Sequence, residues 1–148
     1  MKRIDWRTRI LLCAAILGIG FIFRNSFQVG AASHQWSSDV LTDLTTQFPF
    51  LSGLTEKVLR KLAHLTEYAV AGALLALLWT RPLPSRLRPF YLLLCAAIPC
   101  IDELIQLFSP GRNSQFFDVC IDWIGMLCGA AIIWILLRLW RARSQSIR

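Results

Sequence analysis

Along the chain, apolar residues gather into four runs, each bounded by charged or turn-forming positions. The first covers residues 10–23 and extends back through Trp6; the second covers 62–79, the third 89–108 and the fourth 116–140. A helix needs about 20 mostly apolar residues to cross a bilayer. All four qualify, giving expected spans of about 6–24, 61–79, 89–108 and 116–140 in one all-α membrane domain over residues 1–148, a small four-helix bundle. Pro89 suits a helix start. Pro99, inside the third run, removes a backbone hydrogen bond and is expected to kink that helix.

A basic start and a 14-residue apolar core make a signal peptide the competing reading of the first run. Arg24 and the polar stretch before Ala32 make a poor cleavage region, so a retained span is expected. Residues 25–60 form the long connection between the first two spans. Within it, Ser37 or Ser38 could cap a short helix with Val40, Leu41, Leu44 and Phe48 on one face, lying at the membrane surface; an ordered loop is the alternative.

Composition agrees with the pattern: 55% of residues are hydrophobic and mean hydropathy is +0.51. The formal charge of +7 would suggest nucleic acid in a soluble protein. Here the basic residues flank the apolar runs, so a topology signal is expected and no nucleic-acid partner. With the N-terminus inside, eleven basic residues face the cytoplasm: Lys2, Arg3, Arg7, Arg9, Arg81, Arg86, Arg88, Arg138, Arg141, Arg143 and Arg148. Five face outward: Arg24, Lys57, Arg60, Lys61 and Arg112. The expected protein is therefore a multi-pass component of the bacterial cytoplasmic membrane with both termini cytoplasmic. Trp6, Trp79 and Trp140 then fall at one interface. The five cysteines lie within the apolar runs, at spacings that suggest neither disulfides nor a zinc site.

Against this background, the polar residues inside the spans stand out. Lys61, His64, Glu67 and Tyr68 share one face of the second span at spacings of three and four. Asp102, Glu103 and Gln106 lie near the end of the third, while Asp118 and Asp122 begin the fourth, four apart. At 1.5 Å per residue, Glu67, Asp102 and Asp122 each sit roughly 9 Å below the same end of the bundle. A charge facing lipid at such depth costs about 3 kcal/mol, so the acids are expected to face one another inside the bundle. A network that only fixes helix register is the bland alternative. Asp102 and Glu103, adjacent in sequence, cannot share a face, so one faces the cluster and the other meets Lys61, Arg112 or a lateral neighbour. Gly125 and Gly129 have the spacing for close helix approach. In the connecting turn, Pro110 and Gly111 are turn residues and Asn113 or Ser114 could cap the fourth helix. Arg112 is expected at the mouth, where with Lys61 it could neutralise the acids or hold a phosphate.

The segments KLAHLTEYAVAGAL and IDELIQLFSPGRNSQFFDVCIDWIGMLCG resemble the VanZ-like membrane proteins of bacteria, whose founding member is associated with teicoplanin resistance. The resemblance covers about the last two thirds of the chain. By it, Lys61, His64, Glu67 and Tyr68 answer to the first family motif, and Asp102, Glu103, Gln106, Pro110, Gly111, Arg112, Asp118 and Gly125 to the second. Asp122 departs from the pattern, since many members carry Asn there.

Three function classes follow as expectations. The first is an outward-facing polar chamber that binds a lipid-linked or lipidated glycopeptide ligand, contributing to teicoplanin resistance, with Lys61, Tyr68, Asp102, Gln106, Arg112 and Asp122 as binding residues. The second is an intramembrane transferase or hydrolase acting on a lipid-linked envelope substrate, with His64, Glu67, Glu103 and Asp118 as acid-base candidates. The third is a proton- or cation-coupled transporter, disfavoured by four helices without a visible repeat. The partners expected are the bilayer and a lipid-bearing small molecule. No cofactor is expected; His64 and several carboxylates could also hold a divalent ion, but without an HExxH or comparable ligand pair no metal site is assigned.

Overall fold

The computed structural model describes residues 5–82, 85–112 and 115–146. Among them the chain is all helical, with α1 at Trp6–Ser26, α2 at Gly30–Gln47, α3 at Glu56–Trp79, α4 at Arg88–Leu107 and α5 at Phe116–Ser146. Short 3-10 turns lie at Pro49–Leu51 and Ser85–Leu87. The elements α1, α3, α4 and α5 are long and apolar enough to cross a membrane. They form a multi-pass bundle whose outer faces expose large apolar side chains such as Leu17, Leu93, Phe117 and Leu127.

Local chemistry explains the helix ends. The Asp5 carboxylate accepts the Thr8 N–H at 2.7 Å and caps α1, and its hydrogen bonding to Thr8 holds it below the usual carboxylate range. Thr55 Oγ1 accepts the Val58 N–H at 3.3 Å and caps α3. The charged residues Glu56, Lys57, Arg60 and Lys61 are good helix formers, so α3 begins five residues before the expected span. Replacing Thr55 by Ala should cost about 1 kcal/mol. Amide hydrogen exchange should then rise over residues 56–60 and stay unchanged in α5.

The long connection differs most from expectation. It holds an 18-residue helix, and the expected cap at Ser37 or Ser38 is incorrect, because both serines lie inside α2. Ser37 Oγ instead donates back to the Ser33 carbonyl at 2.8 Å. Thr42, Thr45 and Thr46 return their hydroxyls to their own helix in the same way. The buried stripe is made of small residues, Gly30, Ser33 and Ser37, continued by the half-buried Val40, Leu41 and Leu44. Its upper end is pinned, with the Gly30 N–H donating to the Pro110 carbonyl at 2.8 Å. A Cβ at Gly30 would stand 2.2 Å from Gly111 O, so only glycine permits the approach. Gly111 has φ +77°, the left-handed turn conformation glycine favours.

The central pair is α3 with α5. A Cβ on Gly72 would meet Met126 O at 2.0 Å, and one on Gly129 would meet Ala69 O at 1.8 Å. These two helices touch backbone to backbone. Around them a core of Ala15, Ile22, Tyr68, Ala71, Leu75, Leu78, Ile98 and Met126 closes the bundle. The helix α4 remains helical through the buried Pro99. One turn below, the Trp123 indole N–H donates to the Ala96 carbonyl at 3.1 Å, fixing α5 against α4. The Tyr91 hydroxyl donates to the Leu75 carbonyl and ties α4 to α3. Arg81, after α3, lies 4.0 Å from Asp5, which puts the start of α1 and the end of α3 on one side. The cysteines are all free; Cys13, Cys100 and Cys128 are exposed on the outer face, Cys95 and Cys120 half-buried. The caps considered at Asn113 and Ser114 lie outside the described residues.

Candidate functional site

At the opposite end from Asp5, three helices bring their polar residues inward. His64 of α3, Asp102 of α4 and Asp122 of α5 place side-chain donor atoms within 4.8 Å of one another. His64 Nδ1 stands 3.7 Å from Asp122 Oδ1. Both aspartates are buried, at 0% and 1% exposure, so these acids meet at one level as the helical rise requires. Gln106 Nε2 donates to Asp102 Oδ2 at 3.2 Å. Among the described residues neither Asp122 oxygen has a hydrogen-bond partner, and Asp102 faces the hydroxyls of Ser26 and Tyr68.

The other candidates split away. Glu67 Oε1 accepts from the Asn25 amide at 3.0 Å and so faces α1. Glu103 is buried, but on a different face from Asp102; its Oε1 accepts the Gln115 N–H at 2.6 Å, at the start of α5. Lys61 pairs with Asp118 at 3.0 Å nearer the surface. Tyr68 lines neither cavity described below, but it stays with the cluster: it is fully buried, and its hydroxyl faces Asp102.

Arg112, expected at the mouth where with Lys61 it could neutralise the acids or hold a phosphate, makes its hydrogen bonds to main-chain carbonyls and Gln106. It turns inward, donating from Nη2 to Asn25 O at 2.8 Å, from Nη1 to Gln106 Oε1 at 3.3 Å and from Nε to Gln28 O at 3.4 Å. It thus ties the end of α1 to the end of α4. Burial pushes its pKa below the ordinary value.

Two cavities open at this end. One, of about 320 Å³, is lined by the charged set His34, Glu56, Lys57, Arg60, Lys61 and Asp118, with His64, Gln106 and Asp122 at its base. The other, of about 530 Å³, runs between α1, α2 and α3 and is lined by Phe21, Val29, Ala32, Trp36 and Ala63, with Arg24, Glu67 and Arg112 also reaching it. Arg60 and His64 line both. His34 Nδ1 lies 2.6 Å from Glu56, and Arg60 Nη1 lies 3.5 Å from His34 Nε2.

Arg60, His34 and Asn25 were missed from sequence. A signal existed for Arg60, because Glu56, Arg60, His64 and Tyr68 recur every four residues along one face of α3. His34 and Asn25 carried none, since their partners lie on distant helices.

The sequence profile of the VanZ/LLP1 family matches residues 10–138. The chain belongs to the VanZ/LLP1 family. The match takes in α1 and α2 as well as the two motif-bearing segments, so the connection that forms α2 is part of the VanZ/LLP1 domain. No curated protein and no solved structure matches the chain. For this VanZ/LLP1 protein the site must therefore be read from its own residues.

Proposed function

We propose that this membrane protein binds an amphipathic, lipid-bearing envelope ligand, a lipid-linked precursor or a lipidated glycopeptide, at the junction of its two cavities. The observation that carries the reading is the shared wall: Arg60 and His64 border both the charged cavity and the mostly apolar groove. An anionic headgroup beside Lys57, Arg60 and Lys61 would leave its acyl chain against Phe21, Val29 and Trp36. Few polar groups set orientation while apolar walls supply affinity, as in most small-molecule sites. The proposed topology has both termini in the cytoplasm and the cavities facing outward, supported by the excess of basic residues at the opposite end. A contribution to teicoplanin resistance fits this reading, because teicoplanin carries an acyl chain and vancomycin does not.

The test is susceptibility of a sensitive bacterial host expressing the protein at matched membrane levels. Wild type should protect against teicoplanin and not vancomycin. Arg60→Gln, which weakens the headgroup end, and Ala63→Trp, which fills the groove, should each abolish protection. Equal protection against both drugs, or none from wild type, would remove the lipidated glycopeptide from the reading.

A second reading, acid-base chemistry on a lipid-linked substrate, is favoured by His64 facing Asp122 at 3.7 Å. It predicts a mass change in an envelope lipid that depends on His64, whereas binding alone predicts copurification of an unaltered lipid.

A further inference from the structure

Ionised together, Asp102 and Asp122 would place two negative charges in a site where water has little access. Among the described residues both oxygens of Asp122 are buried without a hydrogen-bond partner, while Asp102 has the side chains of Ser26, Tyr68 and Gln106 beside it. The neighbouring cations have other partners: Lys61 pairs with Asp118, Arg112 donates to two carbonyls and Gln106, and Arg60 reaches the His34 ring. His64, even when protonated, offsets one charge of the two. Uncompensated buried charge is strongly unfavourable, so the arrangement calls for a cation or for protons.

The donor set distinguishes among cations. One imidazole nitrogen and two carboxylates suit Zn²⁺, Mn²⁺ or Co²⁺, whereas Mg²⁺ and Ca²⁺ favour oxygen donors alone. Bonds of about 2.0–2.2 Å to such an ion hold tetrahedral donors roughly 3.4 Å apart. His64 Nδ1 and Asp122 Oδ1, at 3.7 Å, are already near that separation. The Gln106 amide on the second oxygen of Asp102 orients that carboxylate, and Arg112 holds Gln106 in turn. Such supporting contacts are what fix ligands at metal centres.

We propose that His64, Asp102 and Asp122 form a binding site for one divalent transition-type metal ion, built from α3, α4 and α5. Three protein donors leave a further coordination position. Because His64 and Asp122 line the charged cavity, that position faces it, open to water or an oxygen of an anionic headgroup.

The experiment titrates Zn²⁺, and separately Co²⁺, into protein purified in detergent micelles and stripped with chelator. Calorimetry reads the stoichiometry and the visible absorption of Co²⁺ reads the ligand set. Wild type should take up one equivalent, and its thermal midpoint should rise with Zn²⁺. Asp122→Asn and His64→Gln should each weaken binding at least about tenfold and alter the Co²⁺ spectrum. Asp39→Asn, on α2, should change neither. Circular dichroism of the metal-free variants separates lost binding from lost fold. No uptake by wild type, unchanged uptake in both site variants, or preference for Mg²⁺ or Ca²⁺ over Zn²⁺ overturns the proposal. Since no lipid or antibiotic enters the measurement, its failure leaves the ligand reading standing.

Discussion

Gly129→Ala should destabilise the protein by about 3 kcal/mol in detergent unfolding, far beyond an ordinary surface change. The added Cβ would stand 1.8 Å from the Ala69 carbonyl oxygen and 2.7 Å from its carbon, both backbone atoms that cannot step aside. The helices α3 and α5 must therefore separate by more than 1 Å or so, losing the close packing that drives association in lipid. Gly72→Ala should cost a similar amount, since its Cβ meets Met126 O at 2.0 Å. The pair should be strongly non-additive, because once one change has parted the helices the second meets open space. Gly20→Ala is the control: nothing lies within 4 Å of its Cβ, and helix propensity should stabilise it by up to about 1 kcal/mol. Gly129→Ala within about 0.5 kcal/mol of wild type would mean that the two backbones are not in contact.

Arg112→Ala should cost about 3 kcal/mol, read as a lower midpoint in the same unfolding experiment. The half-buried guanidinium serves Asn25 O, Gln28 O and Gln106 Oε1 together, so its loss strands three acceptors and frees the end of α1 from α4. Lys should restore less than half of the loss, because one ammonium cannot present a planar fork to three diverging oxygens. Increased proteolysis at residues 27–29 would locate the damage. Full rescue by Lys would show that charge alone matters there.

The four spans were legible because lipid demands length and apolarity, and both can be counted along a chain. The meeting of Asp102 and Asp122 was legible from helical rise, with buried acids having few alternatives to facing one another; Glu67, expected at the same level, turns to Asn25 of α1 instead, and His64 joins the two aspartates. The helix α2 was harder to see. Its buried stripe is Gly30, Ser33 and Ser37, which reads as polar in any hydropathy pattern although it packs as a small-residue face. Arg112 was misplaced because a charged residue in a turn ordinarily faces water, and nothing local reveals that the carbonyls of Asn25 and Gln28 wait for it. Gly125 and Gly129 showed their spacing; Gly72 stood alone in an apolar run, and its role depends on the register of α5.

The backbone contact between α3 and α5 also divides the molecule into a part that must be kept and a part that can be rewritten. His64 and Asp122 inherit their separation from main-chain atoms, with no lipid-facing side chain between them to set it. Residues such as Leu17, Leu93 and Leu127 on the outer faces answer only to the solvent around them. A version with that outer coat exchanged for polar residues could carry the same chamber into water, where its ligands can be studied without a membrane.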